Sequence, residues 1–156
     1  MDISPAHEAA VIAACRVPAL NARLALLASG GATRASIALY ADPAPITPGD
    51  PPGAAPIVSM NMTAASGIVD DTNFQILLDT PIEAQVDGAD VANGSVPTWA
   101  RVNMPDGSWW ADLTVTVEGA GGEIQLVQTG TDGGGQPEAR LFNGAFARIA
   151  SAVIQG

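Results

Sequence analysis

The chain contains no lysine, and its six arginines stand against 16 acidic residues, a formal charge of −10. Binding to a phosphate backbone depends on clustered cations, whereas these arginines are scattered at positions 16, 23, 34, 101, 140 and 148. No nucleic-acid partner and no membrane partner is expected. The acidity itself has two readings: solubility with mutual repulsion between free subunits, or attraction to a basic protein surface. A single cysteine, Cys15, excludes an internal disulfide and any multi-cysteine metal site. It falls in an alanine-rich helical pattern, where a buried, inert thiol is expected. No apolar run reaches membrane-spanning length, and no positively charged segment precedes one near the N-terminus, so the protein is expected to be cytoplasmic when made. Aromatics are scarce too, seven in all against 29 alanines, so the core must be built in thin layers from Val, Ile and Leu with a few large anchors.

Catalytic constellations are equally thin. Activating a serine needs a base, and the single histidine, His7, falls in the first turn of a helical pattern, where a solvated side chain is the ordinary outcome. No Gly-x-Ser-x-Gly elbow occurs. Asp70, Asp71, Asp87, Asp90, Asp106 and Asp112 are carboxylates in principle suited to paired acid–base work, but most sit in turn-like sequence, where Asp caps its own backbone. Calcium is the least poor metal, yet no Asp-x-Asp-x-Asp-Gly run is present. Gly119–Gly122 and Gly133–Gly135 lack the Lys-Ser/Thr of a phosphate loop. The expectation is a protein that is not an enzyme, with no cofactor, no metal and no small-molecule substrate.

What is present is a hairpin. Thr98–Asn103 and Ser108–Val117 alternate in hydrophobicity around Met104-Pro105-Asp106-Gly107, a turn defined by Pro105, Asp106 and Gly107. On the second strand Trp109, Ala111, Leu113, Val115 and Val117 share one face, and Trp110, Asp112, Thr114 and Thr116 the other. Trp109 is thus expected in the core, and Trp110 exposed or at an interface. Trp99 and Trp110 are placed to share a face, with Arg101 positioned to stack on an indole.

Before the hairpin, Ser4-Pro5 reads as a helix start with Glu8 in the first turn, and a helix follows to about Arg16. At Pro18 either a kink or a second helix is expected. Leu20, Leu24 and Leu27 recur at helical spacing with Arg23 pointing elsewhere, and Gly30-Gly31 ends the run. This arm, residues 1–34, needs a surface, supplied by its own sheet or by a neighbouring subunit. Residues 35–156 form the β-domain. It opens with a strand at Ala35–Ala41, whose Tyr40 is an interface candidate together with Leu20, Leu24, Leu27, Trp99, Arg101 and Trp110. A Pro-rich loop at 42–56 follows, with six prolines that bar it from a sheet ladder except at an edge. Strands are expected at Ile57–Ala64, Phe74–Leu78 after a polar turn at Asp70-Asp71, Ile82–Val86 and Glu123–Thr129. A flexible connection runs from Gly130 to Pro137. Ala139–Ile154 has an alternation that favours strand over helix. The fold class is mainly β, an antiparallel β-sandwich or barrel-like domain with an N-terminal helical arm.

Three segments carry a resemblance: Leu27-Ala28-Ser29-Gly30 closing the helix, Ile37-Ala38-Leu39-Tyr40 before the Pro-rich loop, and Trp99-Ala100-Arg101-Val102 before the Asp106-Gly107 turn. With them the chain resembles small structural proteins of tailed bacteriophages, of the head-decoration or tail and baseplate accessory type. The resemblance implies a virion component, made in the bacterial host cytoplasm, that docks on other virion proteins and on copies of itself in a symmetric assembly. The chain departs from that pattern after Gly130, where it is longer and richer in glycine. A second reading, from the aromatics alone, is a carbohydrate-binding module using Trp99 or Trp110 as a platform for a sugar ring.

Overall fold

The computed structural model describes residues 4–29 and 31–156; Gly30, of the expected helix stop, lies outside them. Helix α1 spans Pro5–Ala25, with Ser4 as its N-cap accepting from the His7 amide at 3.2 Å and Pro5 in the first turn. The break expected at Pro18 does not form, and one helix runs through it. A mid-helix proline removes one backbone bond, a cost of about 3 kcal/mol, and here packing of Leu20 and Leu24 against the sheet offsets it. The helix ends before Gly30-Gly31, where the amides of Leu26 and Leu27 bond the Arg23 and Leu24 carbonyls. Leu27 therefore enters the core from the turn beyond the helix. Cys15 is exposed and not buried, because it faces away from the sheet on which the helix rests.

Among the described residues the strands are β1 (Ser36–Tyr40), β2 (Val58–Asn61), β3 (Gly67–Asp70), β4 (Gln75–Leu78), β5 (Ile82–Gln85), β6 (Trp99–Asn103), β7 (Trp109–Val117), β8 (Ile124–Leu126), β9 (Gly130–Thr131), β10 (Pro137–Glu138) and β11 (Phe146–Gln155). The main sheet runs β2-β1-β6-β7-β8-β11-β4-β3, and the first half of β11 pairs β5 where its last residues pair β4. It curls into a half-barrel. Beyond β5 the Gly88 amide donates to the Ile57 carbonyl ahead of β2 at 2.9 Å, bringing distant members of the sheet path together. Leu20 and Leu27 join Ile37, Leu39, Ile76 and Ile149 in the main core. The result is a mainly β domain with an N-terminal helical arm.

Four local expectations are corrected. The sheet is mixed, since β7 and β8 pair in parallel. Parallel neighbours ordinarily need a crossover of a dozen residues or more, but β8 is only three residues long and steps back just far enough to sit beside the end of β7. Gly119 and Gly121 take positive φ in that turn, the Gly122 amide bonds Thr116 Oγ1, and the Thr114 amide donates to a Glu123 carboxylate oxygen at 2.8 Å. Secondly, β3 occupies sequence expected only to lead into the Asp70-Asp71 turn; the tetrapeptide is too short to show a period, and its pairing with β4 makes it a strand. Thirdly, Gly130–Pro137 is not merely flexible: β9 and β10 pair there, and one Asp132 oxygen accepts from the Gly134 and Gln136 amides. Finally, an irregularity between Ile149 and Ser151 swaps the faces of β11, so Ala147 and Ile149, then Ala152 and Ile154, point inward.

The seam between β5 and β2 admits only glycine at position 88, where a Cβ would lie 2.2 Å from the Pro56 carbonyl oxygen. Gly88→Ala forces the backbones apart and is expected to lower stability by about 1–3 kcal/mol, read as a lower urea midpoint at unchanged slope. Burial pushes the Glu123 pKa up, but hydrogen bonds from the Thr114 side chain and backbone outweigh it and hold the carboxyl below its ordinary value of 4.5. This depressed pKa stabilises the fold above 4.5, and the contribution is lost as pH falls through the folded value. Glu123→Gln should therefore lower stability at neutral pH and flatten the decline in thermal midpoint between roughly pH 5 and pH 3.

Candidate functional site

The hairpin forms where expected, with the Gly107 amide bonding the Met104 carbonyl at 2.9 Å and Gly107 at φ 84°. Its strands pair in regular antiparallel fashion up to Val102 opposite Ala111. Asn103 then faces Trp109, so β7 holds an extra residue at Trp110. This bulge reverses the expected placement of the two tryptophans. Ala111, Leu113 and Val115 keep the core face, but Trp109 is 41% exposed and Trp110 packs against the main core. An inserted residue shifts the alternation by one position, which is why a strict two-residue period fails here.

Each tryptophan anchors a different segment. Trp110 Nε1 donates to the Arg23 carbonyl at 3.2 Å, and the Arg23 guanidinium lies 5.7 Å from the centre of its ring. The C-terminal half of α1 is thereby fixed to the sheet. Trp109 lies against Gly49 of the Pro-rich loop, where a Cβ would sit 3.3 Å from Trp109 Cε3.

The same loop begins beside a second, small cluster. Tyr40 and Trp99 stack with centroids 4.3 Å apart and planes at 12°, with Ala38 beneath them. Trp99 Nε1 donates to the Asp42 carbonyl at 2.7 Å. Arg101 lies over the same indole, 5.6 Å from its centre, and holds Asp112 with two bonds of 2.7 and 2.8 Å. Paired in this way, the guanidinium of Arg101, a residue only 6% exposed, is satisfied where an unpaired one would be costly. Hydrogen bonding to Asp112 raises the Arg101 pKa against the opposing effect of burial. Burial likewise pushes the Tyr40 phenol above its usual value, with the Arg101 charge acting in the opposite sense.

The seven candidate interface residues thus fall into three places. Leu20 and Leu27 are in this chain's own core, with Leu24 packed at its edge; Tyr40, Trp99 and Arg101 are buried in the outer cluster; Trp110 lies beneath α1. Neither Trp99, 4% exposed, nor Trp110 presents an open ring as a sugar platform. Sequence reasoning did not single out Arg23, Asp42, Gly49 or Asp112 as partners in these contacts. Asp42 and Gly49 act from within a loop that has no period to read, and Arg23 and Trp110 are 87 residues apart.

The turn carboxylates do local work. Asp70 accepts from Thr72 and Asn73, Asp90 from Ala92 and Asn93, and Asp106 from Ser108. Hydrogen bonds from Asn73 and Ser108 side chains are the leading causes that lower the pKa values of Asp70 and Asp106. Open clefts of about 360 Å³ beside Gln85, Asp87 and Gly88, and of about 410 Å³ beside Thr114, Glu123 and Gln155, are each lined by one carboxylate. Among the described residues no group of three His, Cys, Asp or Glu is gathered to hold a metal ion, and no helix is long and apolar enough to cross a membrane.

The two anchors should separate by mutation. Trp110→Ala is expected to cost about 3 kcal/mol and to speed amide exchange in the second half of α1, whereas Trp109→Ala should leave α1 protected and loosen residues 42–56. Equal deprotection of both segments by either variant would contradict the division. No family model, curated protein or solved structure matches the chain.

Proposed function

We propose that the protein is a non-enzymatic structural subunit of a multi-copy assembly, a head-decoration or tail and baseplate accessory component of a tailed-phage virion. The observation that carries this reading is the free half of α1. Ser4 through Val11 are all exposed, although half of this stretch is alanine or valine and only His7 and Glu8 are ionisable. A surface helix ordinarily turns polar residues outward, and one whose outer face is half alanine and valine is suited to being covered. The half-barrel supplies a rigid mount, since α1 is fixed through Leu20, Leu24, Leu27 and Trp110 and projects beyond them. Apolar residues at Ile46, Val91, Phe142 and Phe146 add further exposed contact points. The resemblance of the helix end, first strand and hairpin to phage structural proteins names the kind of assembly, with copies of this chain and other virion proteins as neighbours.

Cys15 is exposed on α1, so a thiol-directed photo-cross-linker placed there reports what lies against the arm. In virions purified from lysed host cultures, mass spectrometry should find the chain in several copies per particle and cross-linked at Cys15 to another subunit. A chain recovered only in the unassembled fraction would overturn the reading. Saturable glycan binding by the isolated chain would favour the carbohydrate module instead.

A further inference from the structure

All six arginines have a neighbour in the structure, but they differ in kind. Arg34 donates to the Ser29 and Gly31 carbonyls, Arg101 pairs with Asp112, Arg140 with Glu138 and Arg148 with Glu83. Arg16 and Arg23, both in α1, rest only on aromatic rings, Phe74 at 5.6 Å and Trp110 at 5.7 Å. They are the two guanidiniums that lack a side-chain hydrogen bond to oxygen among the described residues. With Glu8 as its one acid, α1 carries +2 − 1 = +1, in a chain whose net charge is −10. Its charge is opposite in sign to that of the chain as a whole.

The spacing specifies how. Glu8 and Arg16 are eight residues apart, about 12 Å along the helix and about 80° around it, with Ile12 midway. A helix bearing an acid and a base at equal distances from a central apolar residue complements itself in one orientation, antiparallel about a two-fold axis at that residue. Glu8 of each copy then lies level with Arg16 of the other, and the two Ile12 side chains meet between them. Ala9 is exposed and leaves room for close approach, while Ile12 is half-buried and would meet its copy along its outer edge. Resting on the Phe74 ring, Arg16 keeps its N–H edges available for a carboxylate.

We propose that the free half of α1 pairs antiparallel with the same segment of a second copy of this chain, centred on Ile12 and held by two symmetric Glu8–Arg16 contacts. This deepens the assembly reading and rests on it. A contact between two half-helices is smaller than the 1,200 Å² or so of a standard stable interface. The pair is therefore weak in dilute solution and gains strength where several copies are already held side by side.

Sedimentation equilibrium of the full chain, over a range of concentrations at low salt, tests the proposal. The mass should rise from the 15.7 kDa monomer towards twice that value. Glu8→Arg and Arg16→Glu should each raise the dimer dissociation constant roughly tenfold or more, since both symmetric contacts turn from attraction to repulsion. The double swap E8R/R16E should restore wild-type association, and Glu8→Gln should give an intermediate value; circular dichroism identifies any variant that loses its helix. A wild-type chain that stays monomeric throughout, or a dimer indifferent to the single swaps, or one not restored by the double swap, overturns the self-pairing. Cross-linking at Cys15 in the particle reports separately: self-pairing absent with particle cross-links to other subunits present removes this inference alone, whereas a chain missing from particles removes the assembly reading itself.

Discussion

Trp109 and Trp110 are adjacent in the chain and serve opposite sides of β7, because the strand holds one residue more than β6 opposite it. Most of what is distinctive here depends on that insertion. It sends one indole outward, where the Pro-rich loop lies against it, and the other towards the core, where α1 is bonded to it. A regular strand would put the two on the same respective faces as their neighbours two residues on, leaving Trp109 in the core and Trp110 on the face of Asp112. The helix would then lose the hydrogen bond that ties Arg23 to the sheet. Bulges redirect side chains without ending the ladder, and this one links the hairpin to both long appendages.

The electrostatics follow the same economy. With no lysine and six arginines, the chain uses its cations sparingly: one pair is buried in the outer cluster, others tie strand ends and loops, and two lie on rings along α1. Asp70, Asp90, Asp106 and Asp132 act as turn caps, which need no countercharge because backbone amides satisfy them. Helix α1 departs from this acidity, with two arginines against one glutamate, and its first half is exposed.

A scaffold of this kind separates rigidity from contact. The half-barrel is held by a continuous aliphatic core and by the Gly88–Ile57 bond that draws its seam together. The parts that reach outward, α1 and the Pro-rich loop, are fixed at one end by indole nitrogens donating to main-chain carbonyls. Such bonds set the direction of a segment while leaving the rest of its surface available.

Local patterns were enough to settle the class of the fold, the helix start at Ser4-Pro5, the hairpin turn at Met104–Gly107, the exclusion of the Pro-rich loop from the ladder and the strand character of the last segment. Each depends on neighbours within a few residues: a cap, a fixed φ, a missing amide, an alternation. The stacking of Arg101 on Trp99 was legible for the same reason, since i and i+2 on a strand share a face. The fate of Pro18, the swap of faces at the bulges in β7 and β11, the parallel turn into β8 and the destination of Leu20 and Leu27 were decided only by tertiary structure. Those outcomes turn on which distant surface a segment meets. The pull of a core on Trp110 or Leu20 outweighs the local preference that the sequence displays.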